Sequence, residues 1–284
     1  MVTTRPRLVV GVDGSPDGDR ALEWALAQAR AIGGEVHVLH GSAALLAAGT
    51  PTPLREEVAE RSRAVLDRAI QLAGTAPDVD VRTAEVTTGG AEGLVGASEG
   101  AWAVVVGARG HGRVAGALVG SVSQHVARHA ACPVVVVREP ADRSARTVVV
   151  GVDADGTALP AVDFALRVAA SRAAPVLALR AWHDPGRLVA PGPLLLPELS
   201  AERRRAELAA LERDTEALRG THPEVVVTHD VVPSHAQRVL ADASQHAALV
   251  VVGSRGRGGF AGLLLGSVSQ AVLQHAECPV AVVR

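Results

Sequence analysis

Lysine is absent from this 284-residue chain; all 28 of its basic residues are arginine. That excludes a phosphate loop of the Walker type, which sets a lysine on the phosphates, and Schiff-base chemistry, which needs a lysine amine. Tyrosine is absent too, leaving two phenylalanines and three tryptophans. So few aromatic rings make a poor platform for stacking single-stranded bases. A formal net charge of -2 offers no basic field to nucleic acid or to an anionic membrane. The two cysteines, Cys132 and Cys278, are too few for a disulfide framework and point to a reducing compartment. No apolar run approaches the roughly 18 residues of a membrane helix. The first residues, Met1 to Arg7, lack the apolar core and small-residue cleavage site of a signal peptide. A cytoplasmic location is the expectation, with neither membrane nor nucleic acid as partner.

What the chain does have is 48% hydrophobic residues and a clear internal repeat. Val9-Val10-Gly11-Val12-Asp13 returns as Val149-Val150-Gly151-Val152-Asp153. Val104-Val105-Val106-Gly107-Ala108-Arg109-Gly110 returns as Val250-Val251-Val252-Gly253-Ser254-Arg255-Gly256. Gly120-Ser121-Val122-Ser123-Gln124 returns as Gly266-Ser267-Val268-Ser269-Gln270, and His129, Cys132 and Pro133 return as His275, Cys278 and Pro279. The early matches are offset by 140 and the late ones by 146, so the second copy gained a net six residues. The Pro- and Gly-rich stretch from Pro185 to Pro197 is the expected place. Two domains follow, residues 1–140 and 145–284, each within the usual domain size.

Each copy alternates strand and helix signals, and its strands are near-continuous Val. Such strands are covered on both faces, and helices between them imply parallel crossovers. The expected fold is α/β: two tandem Rossmann-like domains, each an open five-stranded parallel sheet with helices on both faces. Ligands in such sheets bind beyond the carboxyl ends of the strands, where strand order reverses. That places the candidate residues just after Val12, Leu39 and Val106.

The glycines stand there. After the fourth strand the first copy reads Gly107-Ala108-Arg109-Gly110, nine residues, then Gly120-Ser121; the second repeats this as Gly253 to Gly256, nine residues, Gly266-Ser267. Gly107 leaves the strand end free of a Cβ. Gly110 allows a turn that aims N–H groups at an anion. Gly120-Ser121 opens a helix whose N-terminus presents free N–H groups and a positive dipole end. Arg109 and Arg113 can add charge without being required. The same residues also suit plain turns, with Ser121 as an N-cap. Gly110 to Ala115 and Gly256 to Ala261 match the dinucleotide pattern as well. That fingerprint belongs at a first strand and opens directly into a helix; here it follows the fourth strand, and a further glycine pair intervenes before the helix.

With these residues in view, the chain resembles the universal stress protein family over nearly its whole length, twice. The spacing G-x-x-G, nine residues, G-S resembles the ATP-binding pattern of the family's nucleotide-binding branch. The opening Val-Gly-Val-Asp-Gly-Ser and closing His-Ala-x-Cys-Pro are similar as well. The resemblance implies an adenine nucleotide alpha hydrolase-like fold with sheet order 3-2-1-4-5. It implies ATP with Mg²⁺: Asp13 and Gly41 at the adenosine, Val106 and Gly107 beside the ribose, and Gly110, Gly120, Ser121 and Val122 at the phosphates. The second-copy equivalents are Asp153, Ala181, Val252, Gly253, Gly256, Gly266, Ser267 and Val268. It further implies pairing of the two domains through their fifth strands, Val134 to Val137 with Val280 to Val283, and a homo-oligomer. One departure is plain: Gly14-Ser15 becomes Ala154-Asp155. A second carboxylate there would repel phosphate or help to hold Mg²⁺.

Other constellations carry less. His125 and His129 share a helix face at metal-binding spacing, but His125 becomes Ala271 and no third ligand is apparent. Cys132 and Cys278 are expected to be buried and inert, and Trp24 and Phe164 to be core. Asp13 also suits a turn. Arg203-Arg204-Arg205 is expected to be a solvated face. The function expected is that of an ATP-binding regulatory module in stress response. A slow ATPase and a nucleotide-free scaffold of the same fold are the alternatives. No positioned base beyond Asp13 or Asp153 is evident, so no catalytic residue is assigned.

Overall fold

The computed structural model describes residues 5–42, 52–86, 89–110, 119–154, 157–182, 197–256 and 264–284. The chain divides into two units, Met1–Glu139 and Pro140–Arg284.

Unit 1 runs β1 (Arg7–Gly11), α1 (Pro16–Ile32), β2 (Glu35–Gly41), α2 (Thr52–Ala73), β3 (Asp80–Val86), α3 (Gly90–Ala97), β4 (Ala103–Gly107), α4 (Ser121–His129) and β5 (Val134–Val137). The pairings β3-β2-β1-β4-β5 are all parallel. Strands β1, β4 and β5 are buried on both faces, as their unbroken apolar residues require. Helix α1 shows how local chemistry sets an element. Ser15 caps it by accepting from the Gly18 N–H at 3.1 Å, and Pro16 opens it. Asp17 and Asp19 complement the dipole in its first turn. Ala21, Leu22, Ala25, Leu26 and Ala29 form its buried stripe. Gly33, left-handed at φ 64°, ends it.

Unit 2 repeats the plan with β6 (Val148–Gly151), α5 (Leu159–Arg172), β7 (Val176–Ala181), α6 (Pro197–Arg219), β8 (Val227–Val232), α7 (Ala236–Ala243), β9 (Leu249–Gly253), α8 (Ser267–His275) and β10 (Val280–Val283). Its order is β8-β7-β6-β9-β10, again wholly parallel. Both units thus have the 3-2-1-4-5 order, with the reversal beside β1 and β6. Val36 opposes Val81 in unit 1, and Val176 opposes Val227 in unit 2. The added residues therefore lie between β7 and β8. The stretch before Pro197 lies outside the described residues; Pro197 itself opens α6.

The units differ where the sequence does. Gly14 has φ 80°, a left-handed turn that Ala154 does not adopt, because a Cβ makes it costly. Helix α5 starts at Leu159 after Ala158, with no side-chain cap, and has 14 residues against 17 in α1. Its end is also different: Ala173 replaces Gly33 and is forced to φ 47°. Phe164 is fully buried and Trp24 only half-buried, and both cysteines are buried thiols outside any disulfide. Among the described residues no helix is long and apolar enough to cross a membrane.

Candidate functional site

Beyond Val12 the chain of unit 1 is tied down bond by bond. The Val12 N–H donates to Leu39 O at 3.0 Å, and His40 Nδ1–H donates to Val12 O at 2.8 Å. Asp13 Oδ1 accepts from the Ser15 N–H at 3.0 Å, an Asx turn that aims the other oxygen toward Gly110. Ser15 Oγ also donates to Arg109 O at 3.3 Å, and Asp17 accepts from the Arg109 N–H at 3.0 Å. Asp17 pairs in turn with Arg20, and Arg20 with Glu139. The first turn of α1 thereby holds the loop after β4. That loop is closed at its base, where the Gly120 N–H donates to Ala108 O at 2.7 Å. Ser123 Oγ locks α4 to β4 by donating to Gly107 O at 2.6 Å.

These bonds surround a cavity of about 290 Å³ at the carboxyl ends of β1, β2 and β4. Its walls include Asp13, Gly41, Val106, Gly107, Gly110, Gly120, Ser121 and Val122, the residues that the resemblance implies for the first copy. One end is the N-terminus of α4. Gly120 is its N-cap and provides no side-chain acceptor, so the first N–H groups of the helix face the cavity. The other end is apolar, with Leu39, Val86 and Leu94. Leu94 and Gly90 come from α3, which sequence reasoning left out of the site. The apolar spacing on that short helix was the available signal. The titratable groups on the described wall are Asp13, His40 and Arg109.

Unit 2 has the corresponding cavity, about 510 Å³. Asp153, Ala181, Val252, Gly253, Gly256, Gly266, Ser267 and Val268 all line it. Gly266 caps α8, again with no side chain to offer. The surroundings of Asp153 are rebuilt: Thr157 Oγ1, at the position of Asp17, hydrogen-bonds its carboxylate. Arg180 replaces His40. Its side chain is only 2% exposed, donates to Asp153 O at 2.8 Å, and pairs with Asp214 at 2.6 Å.

A profile of the universal stress protein family matches the chain twice, over residues 4–138 and 144–284. The chain belongs to the universal stress protein family. Relatives agree along the whole length. Universal stress protein Rv2005c of Mycobacterium tuberculosis is 35% identical, with 98% of this chain and 96% of the relative aligned. Universal stress protein Rv2623 of the same species is 34% identical, with the same shares aligned. In structure, a universal stress protein from Archaeoglobus fulgidus superposes with a TM-score of 0.72 at 20% identity. That superposition covers 99% of this chain and 97% of the other. It supports the fold of the two universal stress protein domains.

Several expectations need correction in physical detail. Gly107 does not leave open space for a ligand. A Cβ there would lie 2.6 Å from the Asp17 backbone, so this glycine lets α1 approach β4. Gly110 does not have a positive φ; a Cβ on it would strike the Asp13 carboxylate. Ser121 is the first helical residue and not the N-cap, because Gly120 takes the extended cap conformation. Residues 111–115 and 257–261 of the competing dinucleotide pattern, Arg113 among them, lie outside the described residues, as does Asp155. His125 and His129 stack at 4.2 Å, and no metal-holding cluster of three His, Cys, Asp or Glu exists among the described residues. Arg203 to Arg205 are exposed, but Arg203 also lies over Trp182 and Arg204 pairs with Asp230.

Proposed function

We propose that each unit binds an adenine nucleotide, ATP in the first instance, and that the protein acts as a nucleotide-dependent regulatory module. The observation that carries this reading is the helix N-terminus without a side-chain cap at one end of each cavity, Gly120 in α4 and Gly266 in α8. Such an end favours an anion by up to about 2 kcal/mol when partly buried. A triphosphate satisfies the free N–H groups there, and the Ser121 or Ser267 hydroxyl donates to a phosphate oxygen. The nucleoside then lies toward the apolar end. Strand order sets the distance: β2 and β4 flank β1, so their ends stand roughly 10 Å apart. Both cavities fall near or within the usual size for small ligands, roughly 300–1,000 Å³.

Mg²⁺ fits this arrangement as a passenger of the phosphates. The ion keeps several waters and takes few protein ligands, and Asp13 or Asp153 is the carboxylate on the wall. Its contribution is to neutralise phosphate charge. The chain's own residues position the ligand: the loop bonds of Ser15 and Asp17 hold Gly110, and Ser123 fixes the helix start. Asp13 already accepts from Ser15, which argues for binding over fast hydrolysis. Pairing of the domains through their fifth strands, a homo-oligomer, a cytoplasmic location and a role in stress response belong to the same reading and rest on family membership.

Ser121→Asp and Ser267→Asp test it. An acid at the first helical position suits the helix but repels phosphate. Each substitution should remove one Mg-ATP site, with at least about a tenfold loss of affinity, and leave the melting temperature unchanged. Unaltered binding in both variants would sink the assignment of the phosphate end.

A further inference from the structure

The two cavities match at the helix end and differ at the other. In unit 1 the end of β2 and the start of α3 meet backbone to backbone. A Cβ on Gly41 would lie 2.5 Å from Gly90 Cα and 2.7 Å from its nitrogen. No side chain fits between them. In unit 2 the equivalent residues are Ala181 and Ala236, and both line the cavity. The Ala181 methyl stands where unit 1 admits none, and Ala236 adds a second methyl on the facing helix. The cavity volume is about 290 Å³ in unit 1 and about 510 Å³ in unit 2.

The chemistry of that end changes with its width. His40 lines the first cavity with its Nδ1 committed to Val12 O, so its Nε2 is the polar atom left to meet a base. Arg180 in its place leaves the wall altogether. Its guanidinium is drawn to the carbonyls of Val152 and Asp153 and to Asp214 and Glu207 of α6. At that end the second cavity gains an apolar side chain, Val239, whose counterpart Gly93 does not line the first.

We infer that the second cavity takes a purine nucleotide carrying an apolar substituent on its base, a ligand that the first cavity excludes. This rests on the nucleotide reading above, with phosphates at the helix N-terminus. A narrow end with a polar imidazole suits an unmodified adenine edge; a wide apolar end suits a substituted one. Pockets distinguish ligands of such different bulk by about tenfold or more.

The probe is N6-benzyl-ATP, titrated alongside ATP into the full chain carrying Ser121→Asp or Ser267→Asp. Binding of the benzyl nucleotide should be at least about tenfold tighter in Ser121→Asp, whose second cavity is intact, than in Ser267→Asp. Ala236→Val narrows the wide end without touching the phosphate end. It should cost the benzyl nucleotide at least about tenfold more affinity than it costs ATP in the second cavity; an equal loss for both overturns the inference. Thermal melting checks that each variant is folded. ATP binding with no preference of the benzyl nucleotide for the second cavity, or with none bound, overturns this inference alone. Absence of binding by either nucleotide to the wild-type chain overturns the nucleotide reading itself.

Discussion

Gly107 and Gly253 occupy equivalent strand ends for different reasons. A Cβ at Gly107 would press into the Asp17 backbone at 2.6 and 2.7 Å, whereas at Gly253 the nearest atom is Arg255 O at 3.1 Å. Gly107→Ala should therefore destabilise unit 1 by about 1–3 kcal/mol, the usual cost of overpacking. Gly253→Ala should cost less; urea denaturation of the two variants measures the difference. Ser15→Ala removes both the cap of α1 and a bond to the β4 loop. A loss of about 1 kcal/mol is expected, with weaker nucleotide binding in unit 1 only. The positions of these glycines were legible in the sequence as a repeated spacing. Their reasons were not, because the atom that forbids a Cβ at Gly107 comes from a helix 90 residues earlier. The same applies to Arg180: no local pattern announces that its charge turns away from the cavity toward Asp214.

At the scale of the elements, the alternation of strand and helix signals was legible in each copy. Ser121 misled because serine favours the N-cap, and here glycine takes it. Helix α5 starts three residues later in the repeat than α1, and Ala154 does not adopt the left-handed turn of Gly14. Ala173 carries the opposite problem, since it must be left-handed to end α5. Ala173→Gly should stabilise unit 2 by about 1 kcal/mol, read as a higher melting temperature. Strand β8 adds a pH dependence. His229, bonded to Thr215 at 2.8 Å, has its pKa lowered chiefly by burial. The unfolded chain therefore binds a proton more readily than the native one. Stability of unit 2 should be full above the ordinary imidazole range and fall as pH drops through it toward the lowered native value. Melting curves at pH 5 and pH 7.5 should differ less in His229→Gln than in the wild type.

For the whole molecule, the repeat made the fold legible before any coordinate. Two copies of one strand–helix pattern, with matching glycines, constrain topology far more than either copy alone. The contrast between the cavities was visible only as Gly41 against Ala181 and Gly90 against Ala236. Gly41 and Ala181 were already expected at the adenosine, but Gly90 and Ala236 do not read as functional until α3 and α7 are seen to line the cavities. As a binding module the chain should release ADP from Mg-ATP only slowly, well below the roughly 1 per second typical of dedicated phosphoryl-transfer enzymes. The central claim is that each unit holds a nucleotide with its phosphates at the start of α4 or α8. Calorimetric titration of Mg-ATP into nucleotide-free protein tests it most directly. The account predicts saturable binding of two nucleotides per chain, abolished in the Ser121→Asp/Ser267→Asp double variant. No saturable binding by the folded wild type, or undiminished binding by the double variant, would contradict it.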